Sequence, residues 1–235
     1  MATDDNHSNF AAFAPALHES SPLKPHHFLK LLFQPRQFFS GRFGLSAKPY
    51  VLLVAWVYGM HHVMEGLNRQ LLRFETGLSE SRELIELIAP WPLFWLVVGA
   101  MGAIAAVVAW QVGGWWYCLR LRWSGAINPE PRLARLIFMY SGFIYTSSNL
   151  AFVLWQTFRQ SDYIYAFEDE NKLAFLFLIF PFWAMISGYH GIRANFKVSR
   201  WKARFWFIAL PCALYLINFA WLVLQLLLWG TDSAS

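Results

Sequence analysis

A chain of 235 residues that is 57% hydrophobic, 19% aromatic and only 14% charged is too apolar for an ordinary water-soluble domain, where about a quarter of residues carry charge. It reads as one membrane-embedded unit. The net charge of +5 could by itself serve nucleic-acid binding, but the basic residues track the apolar runs, so they are assigned to membrane orientation and no nucleic-acid partner is expected. Cys118 and Cys212 lie in or beside apolar runs and indicate neither a disulfide framework nor a thiolate metal cluster.

Residues 1–22 mix Asp4, Asp5, small residues and Pro15 without helical or alternating period and are expected to form a flexible cytoplasmic tail. A secretory signal would put basic residues ahead of an apolar core; here the aspartates come first and no such core follows. Residues 23–49 change character. Phe28, Leu31, Leu32, Phe38, Phe39 and Phe43 cluster between Lys30, Arg36 and Arg42, giving an aromatic, basic amphipathic segment too short and too charged to cross a bilayer. Pro35 should divide it into two short helices and open the second, because proline suits a helix first turn. Two compatible readings follow: an interfacial segment lying on an anionic leaflet, or an elbow packed against the helix bundle.

Five apolar runs come next, at about 50–71, 90–117, 133–158, 173–193 and 205–229, each near the roughly 20 residues that a bilayer core of about 30 Å requires. Backbone groups in lipid have no water to satisfy them, so each run is expected to be helical. The predicted fold is all-α, a polytopic membrane protein with a five-transmembrane-helix bundle over 50–229, an N-terminal amphipathic interfacial segment and a short outer tail at 230–235. Fourteen of the 19 Lys and Arg residues fall in one set of segments: Lys24, Lys30, Arg36, Arg42 and Lys48 before the first run, Arg120, Arg122, Arg132 and Arg135 between the second and third, and Arg193, Lys197, Arg200, Lys202 and Arg204 between the fourth and fifth. The positive-inside rule places that set, and the N-terminus, in the cytoplasm. With five crossings the C-terminus is outside. The acidic residues Glu75, Glu80, Glu83, Glu86, Asp162, Glu168, Asp169 and Glu170 gather in the outer connections, where they read as a solvated face because no calcium-loop spacing is present.

In the second run Gly99, Gly102, Ala106, Ala109 and Gly113 recur at spacings of three and four, a small-residue seam that lets helix backbones approach closely. This run is the expected central helix, packing within the same chain or against a second copy. Polar residues inside the runs fall at one depth. His61, His62 and Glu65 lie about 11 to 15 residues from the cytoplasmic end, Asn149 about 16 and Asn218 about 13, which at about 1.5 Å per residue is one layer. Ser141, Tyr145, Ser148, Asn149 and Gln156 add a polar stripe on the third run. His61 and Glu65 share a helical face and could hold a proton or metal, whereas the simpler reading pairs Glu65 with Arg69 and uses the rest as interhelical hydrogen bonds.

Metalloprotease, phosphate-loop, dinucleotide and serine-hydrolase motifs are all missing, so neither catalytic residues nor a cofactor is expected. Trp115, Trp116, Trp123, Trp201 and Trp206 beside the arginines read as an interfacial aromatic belt.

The order of features carries a resemblance. A Leu-Leu-Phe-x-Pro-x-x-Phe-Phe pattern at Leu31 to Phe39 precedes five runs with a Gly-Gly turn closing the second. A basic loop then enters the third run through Arg135 to Ser141, and a Trp-x-x-x-x-Gly-x-x-x-x-Arg pattern from Trp183 to Arg193 closes the fourth before a fifth containing Pro211. Over residues 28–229 this resembles bacterial members of the Yip1 domain family. The resemblance implies a five-helix integral membrane protein of the bacterial inner membrane with a cytoplasmic N-terminus. Eukaryotic relatives are associated with Rab GTPases and membrane traffic, but the Asp-Leu-Tyr-Gly-Pro motif is missing here and no Rab-binding residue is carried over. The function expected is non-enzymatic: organising anionic lipid headgroups, a membrane-protein partner or a second copy at the cytoplasmic face through Lys30, Arg36, Arg42, Arg120, Arg122, Arg132, Arg135, Lys197, Arg200, Lys202 and Arg204. The alternative is a small transporter or channel subunit using the polar layer of His61, His62, Glu65, Ser148, Asn149 and Asn218.

Overall fold

The computed structural model describes residues 27–40, 50–75, 82–168 and 179–230, and among these every regular element is helical. Residues 1–22, Arg42, 173–178 of the fourth run and 231–235 lie outside the described residues. Two short helices, α1 (His27–Phe33) and α2 (Pro35–Phe38), open the fold, and Pro35 sits in the first turn of α2, where its missing N–H costs nothing. Then come α3 (Val51–Glu75) and the short α4 (Arg82–Ile88). Helix α5 runs over Trp91–Val108, widens into a π-helical turn at Ala109–Gly113 and resumes over Gly114–Trp123. After α6 (Pro131–Thr157), α7 (Tyr163–Glu168) and α8 (Ile179–Asn195), the chain ends in α9. That helix runs over Arg200–Arg204, widens at Phe205–Ala209 and continues over Leu210–Gly230.

Among the described residues, three helices are long and apolar enough to cross a membrane: Trp91–Trp123, Pro131–Thr157 and Arg200–Trp221. Helix α3 has the length but carries Glu65, Arg69, Arg73 and Glu75 in its second half, and α8 is described over 17 residues only. The expected Gly-Gly turn is not a turn. Gly113 and Gly114 lie inside a continuous helix, and their lack of a side chain admits Phe138 and Arg135 of α6.

The central helix is α6 rather than α5. Ala134, Leu136, Ile137, Met139, Tyr140, Ser141 and Ile144 of α6 are all buried, with α3, α5 and α8 packed around them. Helix α5 instead leaves Met101, Ile104, Val107, Val108 and Val112 exposed. A small-residue seam brings one neighbour very close but cannot by itself surround a helix with partners. That neighbour is α3: a Cβ at Gly59 would strike the Gly102 carbonyl, and one at Gly102 would strike Met60. Trp56 Nε1 donates to the Gly99 carbonyl at 2.9 Å across the same contact. Gly99, Gly102 and Ala106 therefore face α3, whereas beyond Ala109 the widened turn brings Gly113 against Phe138 of α6, so the seam divides between two neighbours of the same chain.

The bundle has two distinct ends. At one, Asn195 Nδ2 donates to the Phe39 carbonyl at 2.8 Å and the Ser199 N–H donates to the Ser124 carbonyl at 2.9 Å, joining the N-terminal helices, the α5–α6 loop and the α8–α9 loop. Gly125, with φ +92°, provides the left-handed backbone that loop needs. At the other end Trp91 Nε1 donates to the Gln160 carbonyl at 2.9 Å, the Tyr163 N–H donates to the Ala89 carbonyl at 2.9 Å, and the Tyr163 hydroxyl reaches Asn68.

Candidate functional site

The N-terminal segment shows where its aromatic face goes. Leu31, Phe38 and Phe39 are buried in the main core, and Phe28 packs its ring against Tyr50, Tyr140 and Phe143. Trp183 Nε1 donates to the Leu32 carbonyl at 2.7 Å, and Gly191 lets the Phe39 ring lie against α8. The elbow packing is thus present, and Leu29, Lys30, Phe33 and Arg36 remain on the exposed side.

The cations of the α5–α6 and α8–α9 loops and their flanks divide into two kinds. Arg122, Arg132, Lys197, Arg200, Lys202 and Arg204 are exposed, and the Arg204 guanidinium lies 5.4 Å above the Trp201 ring. Arg120 and Arg135 are partly buried and turned into the protein. Arg120 donates to the Trp206 carbonyl within the π-helical turn of α9 and rests 4.3 Å from the centre of the Phe207 ring. Arg135 Nη2 donates to Gln111 Oε1 at 3.1 Å, again within a π-helical turn, that of α5. These two guanidiniums bind helices together, whereas the six exposed cations of the two loops face outward, as do the indoles of Trp116, Trp123 and Trp201.

The polar residues inside the bundle are only partly brought together. Glu65 is the hub. Its Oε1 lies 3.6 Å from His61 Nε2, and its Oε2 lies 3.6 Å from His62 Nδ1 and 3.5 Å from the Arg69 guanidinium. From α6, the Tyr145 ring stands edge-on to His61 at 4.5 Å. Tyr58 places its ring 4.7 Å from that of His62, and Tyr215 of α9 lies within electrostatic range of Glu65. Ser148 does not join, because its hydroxyl donates to the Ile144 carbonyl of its own helix at 2.7 Å. Asn218 is exposed and donates to the Leu214 carbonyl at 2.8 Å. Depth along a helix was legible for both, but direction around it was not. Of the residues missed, Tyr58 carried a signal, one helical turn before His62; Tyr215 carried none.

Among the described residues, three helices with the length and hydropathy of membrane crossings mark a helical membrane protein. No family model matches the chain, and no curated protein or solved structure matches it either. Among the described residues no group of three metal-ligating side chains could hold a metal ion.

Proposed function

We propose that the chain is a non-enzymatic, multi-pass inner-membrane protein of the Yip1 type, with five crossings and a cytoplasmic N-terminus, that organises anionic lipid headgroups at its basic end. The five-crossing reading rests on the two ends. Helix α6 leaves the basic end and reaches the Tyr163 end, whereas α9 starts again at the basic end, which supports a return crossing through α8. Helix α3, at 25 residues about 37 Å long, joins Tyr50 near Phe28 to Asn68 near Tyr163.

One observation carries the lipid reading: Arg122, Arg132, Lys197, Arg200, Lys202 and Arg204 are exposed together at one end beside exposed indoles, an arrangement suited to acidic headgroups. Spin-labelled phosphatidylglycerol and phosphatidylcholine, compared around the reconstituted protein, test it. Preferential association of the anionic lipid, weakened by salt and lost when the six cations become Gln, is the expected result; equal association of the two lipids sinks the reading. The second reading, a small transporter or channel subunit, draws on the cluster of His61, Glu65 and Tyr145. Solute flux abolished by changes at His61, Glu65 or Asn149 would select it.

A further inference from the structure

The outer side of α9 carries one residue that lipid tails cannot satisfy. Of the three crossing-length helices among the described residues, α9 is the least covered: 11% of its apolar stretch is buried, against 22% in α5 and 44% in α6. Tyr215 marks the side of α9 turned to the bundle, with its ring 5.2 Å from that of Phe182 on α8. At about 100° per residue, Leu214, Asn218 and Trp221 stand about 60–120° around the helix from Tyr215, and all three are exposed. Hydrocarbon surrounds leucine and tryptophan readily, but it gives an amide no hydrogen bond. Asn218 lies about 13 residues into its apolar run, about 20 Å from the basic end of that run, and so within a hydrocarbon core about 30 Å thick. Its Nδ2 donates to the Leu214 carbonyl at 2.8 Å, which uses one amide hydrogen and leaves Oδ1 without a donor among the described residues.

Spacing and chemistry together say what covers this face. Leu214, Asn218 and Trp221 follow one another by four and three residues, and Gln225 repeats an amide residue seven after Asn218; Pro211 and Leu228 continue the series at either end. That is the spacing of a seam along which one helix packs lengthwise on another, and a polar residue within such a seam fixes the register of the pair. Asparagine is donor and acceptor at once, so it is complementary to itself. Across a two-fold axis each Oδ1 accepts from the Nδ2 of the other copy, a bond that neither lipid tails nor an aliphatic helix can supply. We propose that the stripe of Leu214, Asn218 and Trp221 is a self-association surface, on which a second copy of this chain docks in parallel with the two Asn218 amides bonded to each other inside the membrane. The surface lies away from α5, whose small-residue seam is filled by α3 and α6 of the same chain.

The test is energy transfer between full-length chains carrying a donor or an acceptor dye at the N-terminus, reconstituted in neutral phosphatidylcholine vesicles and followed as the lipid is diluted. Transfer above that of randomly mixed monomers is the expected result. In Asn218→Leu the same transfer should require about tenfold more protein per lipid, whereas Leu216→Ala, on the opposite side of α9, should leave it in place. Transfer no greater than random mixing overturns the proposal, as it would if Asn218 were covered by its own chain or by a different protein. Association equally strong in Asn218→Leu overturns it too. Should that variant fail to fold, cross-linking decides: with Cys118→Ser and Cys212→Ser as background, mild oxidation should join copies through Leu214→Cys or Trp221→Cys and not through Leu216→Cys. Equal joining through both sides, or none through either, overturns the proposal. Neutral vesicles hold no anionic headgroup, so this outcome and the lipid preference of the basic end fail separately.

Discussion

The two ends of the bundle are held together by different means. At the basic end, cohesion comes from buried aromatic rings and from arginines that cross between helices: Phe39 is fully enclosed, and Arg120 ties α5 to the Trp206 carbonyl of α9. At the other end, rings still pack, with Phe94 stacked on Tyr163 at 4.2 Å, but the closure is made by side-chain hydrogen bonds to backbone, from Trp91 to the α6–α7 loop and from Gln156 to α7. An end covered with charge can present it outward only if something apolar underneath fixes the geometry. The contrast predicts that damage at the basic end costs more stability, while its outward charges cost almost none.

The largest effect is expected from Phe39→Ala, which empties a fully buried ring position between α2, α6 and α8; about 3–5 kcal/mol should be lost, read as reduced resistance to unfolding in mixed micelles. Gly59→Ala comes next. Its new methyl meets the Gly102 carbonyl, which is backbone and cannot swing aside, so a loss of about 1–3 kcal/mol is expected by the same measurement. A smaller cost at Gly59 than at an exposed position of α5 would break the claim that α3 and α5 are in backbone contact.

At the opposite end, Trp91→Phe removes the bond to Gln160 and should cost about 1 kcal/mol. Tyr163 adds a pH dependence. Burial pushes its phenol above the ordinary tyrosine range, so its contribution is complete below about pH 10 and is lost as pH rises beyond that value. Tyr163→Phe should flatten the alkaline limb of the stability curve measured by thermal unfolding; an unchanged limb would mean that α7 is not docked through this ring. Smallest of all, Arg122→Ala and Arg204→Ala should leave unfolding unmoved while reducing the preference for anionic lipid. A clear stability loss there would erase the distinction between the arginines inside and those outside.

Much of the architecture was legible because hydropathy runs and helix-starting prolines are local signals. Pro35 opened α2 as expected, and the third run matches α6 to within two residues. The contact between the Leu31 to Phe39 pattern and the Trp183 to Arg193 pattern was not legible, although both motifs were visible; nothing local says that Trp183 donates to Leu32. Charge counting treats every arginine alike, so it could not separate Arg120 and Arg135 from Arg122 and Arg204. Depth counting put Asn218 level with Glu65, but azimuth is set by packing. The exposed face of α9 carries Leu214, Leu216, Ile217, Phe219 and Trp221 around that asparagine.

The two widened turns have a consequence for how this chain tolerates change in length. Each is a surplus of one residue in an otherwise regular coil, and one residue is about 100° of rotation. Deleting a single residue from 109–113 or 205–209 would leave hydropathy and charge tally untouched and the helix still long enough to cross. Such a deletion would close the widened turn to a regular one and keep later side chains near their present phase, whereas a deletion elsewhere in the same helix would turn them by about 100° and take Arg120 or the Trp206 carbonyl out of register. The basic end is therefore a matter of helical phase, and two sequences that hydropathy cannot tell apart would build different surfaces there.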